Sequence, residues 1–85
     1  MYYVYVLESV VDKEHYIGCS NDLKRRLLEH NHRQTQSIKL RAPFKLIYYE
    51  AFLSQTDAYN REKILKSKWG RKFLNRVLKN YYLNK

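Results

Sequence analysis

Apolar and polar positions follow two different periods along this chain. Tyr2–Glu8 is a run of β-branched and aromatic residues centred on Tyr3-Val4-Tyr5-Val6-Leu7, and it reads as a strand. Val10–Glu14 is polar enough to turn, and His15–Gly18 returns as the second arm of a hairpin. Ser20 or Asn21 then caps a helix that runs to about Arg33, with Asp22 in its positive first turn. Asn31–Pro43 is polar, basic and weakly periodic, and most of it reads as a long loop. The strand pattern resumes over Phe44–Leu53. Ser54-Gln55-Thr56-Asp57 forms a capping box that opens a second helix, which Gly70 closes. A last helix carries Phe73, Leu74, Val77, Leu78 and Tyr81 on one face. The order β-β-α-β-α-α predicts an α+β fold: a three-stranded, mainly antiparallel sheet flanked by helices, in a single domain over residues 1–85.

Charge narrows the choice of partner. The chain has 85 residues, enough for one modest core. Seventeen Lys and Arg face eight Asp and Glu, for a net charge of +9 at pH 7. From Lys63 to Lys85 every charged residue is a Lys or an Arg. Such a field favours a polyanionic partner, nucleic acid before a membrane surface. No apolar run has the length of a membrane span, and no segment has the pattern of a signal peptide. The single cysteine, Cys19, excludes an internal disulfide and a Cys-based zinc site, which suits a reducing cytoplasmic location.

Two helices hold polar side chains close to their apolar faces. Projected at about 100° per residue, His30 falls within about 20° of Leu23, and Arg26 shares its surface as an i, i+4 neighbour. On the next helix Glu62 falls inside a stripe of Ala58, Leu65 and Trp69, about 20° from Trp69. A carboxylate on the core side must be paired with a base or bound to a metal. Singly, these residues have plainer readings: His30 as a core histidine, Arg26 in the solvated run Lys24-Arg25-Arg26, Tyr5 as one of nine tyrosines in a strand. Together they set two phenols, a guanidinium, an imidazole and a carboxylate in one sheet-and-helix layout, a set suited to cutting phosphodiesters.

In that order the residues resemble the GIY-YIG nuclease superfamily, in particular its small single-domain members. The first signature corresponds to Tyr3-Val4-Tyr5, with Tyr3 in the place of the signature glycine, and the second to Tyr16-Ile17-Gly18. The blocks Asn21–His30, Phe44–Glu50 and Ala58–Lys63 continue the likeness over nearly the whole chain. The resemblance implies Tyr5, Tyr16, Arg26 and His30 as catalytic residues and Glu62 as the ligand of one Mg²⁺ or Mn²⁺, with no small-molecule cofactor. Either tyrosine could act as general base. Asn75, Asn80 and Asn84 are the candidates for the family's late active-site asparagine.

The expected activity is therefore metal-dependent endonucleolytic cleavage, of DNA ahead of RNA. Backbone contacts are expected from Arg33, Lys39 and Arg41 in the loop and from Lys66, Lys68, Arg71 and Lys72 around the last turn between helices. A non-catalytic nucleic-acid-binding module on the same fold is the alternative. A protein-interaction domain whose charge serves solubility accounts least well for the clustered basic C-terminal third.

Overall fold

In a computed structural model that describes residues 1–32 and 43–84, β1 (Tyr2–Ser9) is the middle strand of a three-stranded sheet. Its flanking partners are β2 (His15–Ser20) and β3 (Phe44–Phe52), in the order β2-β1-β3 and antiparallel throughout. Four helices are described: α1 (Leu23–Asn31), α2 (Gln55–Leu65), α3 (Lys68–Val77) and a short α4 (Lys79–Leu83). The expected three-stranded α+β architecture and order are present, but the last expected helix is two: α3 ends at Val77, Leu78 lies at the break, and Tyr81 belongs to α4.

β1 is central because it is apolar on both faces, as a strand covered from two sides must be. Tyr5 and Leu7 point to one face and join Phe44, Tyr16, Leu23 and Leu27. Val4 points to the other and joins Ala58 and Leu65 of α2, with Phe73 of α3 against them. All four residues of Val4–Leu7 are at most 1% exposed. The register with β3 shifts between Val6 and Leu7, since Val6 opposes Tyr48 while Leu7 opposes Leu46. Ile47 is the extra residue of a bulge, and it reverses the alternation along β3. Phe44 therefore packs beneath α1 while Tyr48, of the same parity, packs beneath α2 and α3.

Local chemistry sets the helix ends, and two of them differ from expectation. Asp22, not Ser20 or Asn21, is the N-cap of α1, its carboxylate accepting from the Arg25 amide at 3.1 Å. Ser20 instead buttresses that cap, its hydroxyl accepting from the Asp22 amide at 3.0 Å. The Ser54 cap is as expected, with its hydroxyl accepting from the Asp57 amide. Gly70, by contrast, closes no helix. α2 ends at Leu65, and Ser67 caps α3 by accepting from the Gly70 amide at 3.2 Å.

Gly70 lies in the first turn of α3, where an added Cβ would sit 2.2 Å from the Leu65 carbonyl oxygen. Its role is close approach of two helices rather than termination. Trp69 accordingly belongs to α3, and the single-helix stripe of Ala58, Leu65 and Trp69 does not exist. Val77, expected on a packed face, is 46% exposed. No helix among the described residues is long and apolar enough to cross a membrane.

Candidate active site

The open edge of β2 forms the floor of a cleft of about 900 Å³, walled by α1 on one side and by α2 and α3 on the other. Tyr5, Tyr16, Arg26 and Glu62 all line it. β1 and β2 supply the phenols because Tyr5 stands opposite Gly18, and Tyr16 opposite Leu7, on the face covered by α1. Gly18 makes that arrangement possible. A Cβ at this position would lie 2.3 Å from the Tyr5 hydroxyl and 2.6 Å from its Cζ, so the Tyr5 ring occupies the space a side chain would take.

α1 brings Arg26 over this ring. Its Nε donates to the Tyr5 hydroxyl at 3.3 Å, and its Nη1 donates to Glu29 at 3.3 Å. The contacts with Tyr5, and after them those with Glu29, reinforce the positive charge of Arg26. Burial pushes the Tyr5 phenol above its ordinary value, and the hydrogen bond and charge of Arg26 reverse this only in part. Tyr16 and Glu62 lie near enough to act on the same phenol, each opposing its ionisation. Glu62 does not sit in the core as the helical projection placed it. Its side chain is 20% exposed on the cleft wall and pairs with Lys66 one turn later, at 2.8 Å.

This chain matches the model of the GIY-YIG catalytic domain over residues 1–76. It belongs to the GIY-YIG family. A UPF0213 protein of Streptococcus pneumoniae serotype 4 is 42% identical over 67 residues, 78% of this chain and 67% of that protein. A UPF0213 protein of Streptococcus pyogenes serotype M3 is also 42% identical, over 78% of this chain and 72% of the relative. The solution NMR structure of a UPF0213 protein from Bacillus halodurans superposes with a TM-score of 0.55 at 31% identity, covering 91% of this chain and 85% of the other. These similarities place the chain in a nuclease-type family, among small proteins that share its fold.

Within this GIY-YIG domain His30 occupies a different layer from the other expected site residues. It is 4% exposed, and its ring packs edge-on against Tyr16, Phe44 and Tyr5, with centroids at 4.4, 5.6 and 6.2 Å. Among the described residues neither ring nitrogen has a hydrogen-bond partner. Burial first, then the charge of Arg26, hold the imidazole below its ordinary value, so it is neutral at pH 7. His30 thus stands behind the tyrosines and wedges their rings.

The expected cations separate similarly. Lys66 and Arg71 line the cleft, whereas Lys68 and Lys72 project from the exposed side of α3. Arg33, Lys39 and Arg41 lie outside the described residues. Of the three candidate asparagines, Asn75 lines the cleft; Asn80 and Asn84 do not. Asn75 follows Arg71 by one helical turn, a spacing that links the two once the start of α3 is known.

His15 also lines the cleft and was not anticipated. Its Nε2 lies 3.5 Å from the buried Glu8 carboxylate and 3.2 Å from the Tyr82 hydroxyl. The strand register supplies the signal for it, since His15 stands directly opposite Glu8. A smaller recess of about 250 Å³ shares Cys19, Arg26 and Tyr59 with the main cleft and extends the groove past Arg26 towards Arg25 and Tyr2.

Proposed function

We propose that this GIY-YIG domain is a metal-dependent endonuclease, hydrolysing phosphodiester bonds in DNA ahead of RNA. The observation that carries the reading is one cleft holding the Tyr5–Arg26 pair, Tyr16 and the Glu62 carboxylate. Glu62 would hold Mg²⁺ or Mn²⁺. Among the described residues no group of three or more His, Cys, Asp or Glu could hold a metal ion together, so Glu62 would act there with few protein ligands beside it. That fits a hard cation that takes oxygen ligands and keeps several waters for exchange with substrate phosphate. When bound, the ion supplies charge on the phosphate and lowers the pKa of a coordinated water.

The residues of the chain supply the remaining tasks. Arg26 keeps its charge and places guanidinium donors beside the phosphate, where negative charge grows in the transition state. Tyr5, whose phenol burial keeps protonated, donates a hydrogen bond to a phosphate oxygen. Tyr16, half-buried on the cleft wall, is the residue placed to accept the proton of the attacking water. His30 fixes the Tyr16 ring by edge-on contact and is a positioning residue. Lys66 pairs with Glu62 at 2.8 Å and would have to release it for the carboxylate to hold the ion, which would free its ammonium for the backbone.

The same ion pair favours the alternative of a non-catalytic nucleic-acid-binding module, because Lys66 already neutralises Glu62. A nicking assay separates the two. Wild type and Glu62→Ala are offered duplex, branched and single-stranded DNA and RNA, with Mg²⁺ or Mn²⁺. The endonuclease reading requires metal-dependent nicks by wild type on at least one substrate and none by the variant. Binding without nicks on every substrate would favour the passive module.

A further inference from the structure

We infer that α3 carries a single-stranded nucleic-acid segment from the cleft to a base-stacking platform at Trp69. This rests on the nucleic-acid reading above and extends it to a surface outside the active site. Projected at about 100° per residue, the outward arc of α3 runs Arg71, Asn75, Lys68, Lys72, Arg76 and Trp69. All six positions are exposed, and the helix has no acidic residue to interrupt the arc. The arc begins inside the cleft, since Arg71 and Asn75 line it. It ends on an indole that is 54% exposed. A cationic path joining a phosphodiester-cutting cleft to an open aromatic ring matches the combination that holds single strands, a charged track for the backbone and a ring for a base.

The platform is rigidly supported. Trp69 stacks on Phe73 with centroids 5.2 Å apart and planes 13° apart. The Arg61 guanidinium lies over both rings, 5.4 Å from the Trp69 centroid and 4.9 Å from that of Phe73. Glu50 fixes Arg61 in turn by accepting from its Nε at 2.8 Å and its Nη2 at 3.0 Å. A stacking surface held in this way loses little side-chain freedom when a base lands on it. Bases within a duplex are stacked on one another, so the platform selects an unpaired base. Stacking is also tolerant of sequence, because every base has a π-face.

Trp69 is the sole tryptophan of the chain, so all indole emission reports on the platform. The test titrates the full chain, in EDTA and low salt, with an end-labelled oligothymidine of about 15 nucleotides and with a blunt duplex of equal length. Label anisotropy reads binding, and indole emission reads stacking. The expected result is that the oligothymidine quenches Trp69 strongly and the duplex far less. Trp69→Ala weakens oligothymidine binding about ten-fold while duplex binding changes less than about two-fold, and Trp69→Phe restores most of the loss. Binding of the oligothymidine with unchanged indole emission overturns the platform and leaves the active-site reading standing. Equal losses of both probes in Trp69→Ala also overturn it. Absence of any anisotropy change with either probe overturns the platform together with nucleic-acid binding.

Discussion

Glu50 on β3 and Glu62 on α2 have side chains equally exposed at 20%, yet their surroundings differ in kind. Both carboxylate oxygens of Glu50 are occupied: Arg61 reaches them through two nitrogens and the Tyr48 hydroxyl donates to one. Burial pushes the Glu50 carboxyl up, but the hydrogen bonds of Arg61 and Tyr48 prevail and hold it below the ordinary carboxylate range. Tyr48, through burial and then its bond to Glu50, is pushed up to about 12. Glu62 has one lysine on the cleft wall, itself 53% exposed, and shares its cleft with a separate phenol–guanidinium pair. The two regions use the same types of group. One closes them on each other and stabilises the fold; the other leaves them facing open space, where a ligand can complete them.

The two glycines give the widest separation between these regions. Gly70→Ala drives a Cβ into the Leu65 backbone, which cannot step aside as a side chain can, and should cost about 3 kcal/mol in denaturant unfolding. Gly18→Ala drives its Cβ into the Tyr5 ring and should cut nicking about 100-fold while the helical signal in circular dichroism persists. A Gly70→Ala protein with an unchanged unfolding midpoint would break the comparison at once.

Next in size are the two arginines. Arg26→Ala should lower the nicking rate about 100- to 1000-fold, as loss of a transition-state donor does, with stability changed by no more than about 0.5 kcal/mol. Arg61→Ala leaves Glu50 without its cation and should cost about 1–3 kcal/mol, with nicking of duplex DNA within a few-fold of wild type. Exchange of these two outcomes would mean that the structural and functional regions are assigned the wrong way round.

The smallest expected effects lie in pH dependence. The Glu50 carboxyl is depressed in the fold, so its contribution is present above the unfolded value of about 4.3 and is lost as pH falls through the folded value. His30 is also depressed, but as a base: the unfolded chain takes up its proton first, and stability falls as pH drops below about 6.5. Melting temperatures from pH 7.5 to 3 should show both slopes. Glu50→Gln should remove the lower one alone, and His30→Asn the upper one alone; a single slope that survives both substitutions would contradict these assignments.

Much of this architecture was legible because periods and caps are local. The β-branched and aromatic run through Val4–Leu7 marked a strand, though not its central place in the sheet, and Ser54 marked the start of α2. Tyr5, Tyr16 and Arg26 were readable as a group because strand alternation and the α1 turn fix their faces without long-range knowledge. What failed depended on packing. Gly70 looks like a helix end, but its lack of a side chain serves the approach of α3 to Leu65, which no local pattern encodes. That one misplacement carried Trp69 onto α2 and Glu62 into a core that it does not enter. The Ile47 bulge and the Glu8–His15 pair escaped for a related reason, since register is a property of two strands together. Asn75 could be singled out from Asn80 and Asn84 only when α3 had its true start.

The central claim, that Glu62 is an open ligand and Glu50 a closed structural partner, meets its most direct test in one paired measurement. Glu62→Gln and Glu50→Gln are compared with wild type for Mg²⁺-dependent nicking and for thermal unfolding in the same buffer. The account predicts that Glu62→Gln abolishes nicking, keeps oligonucleotide binding in EDTA and melts within a few degrees of wild type. Glu50→Gln should melt clearly lower and still nick. A Glu62→Gln protein that nicks at the wild-type rate would contradict the account.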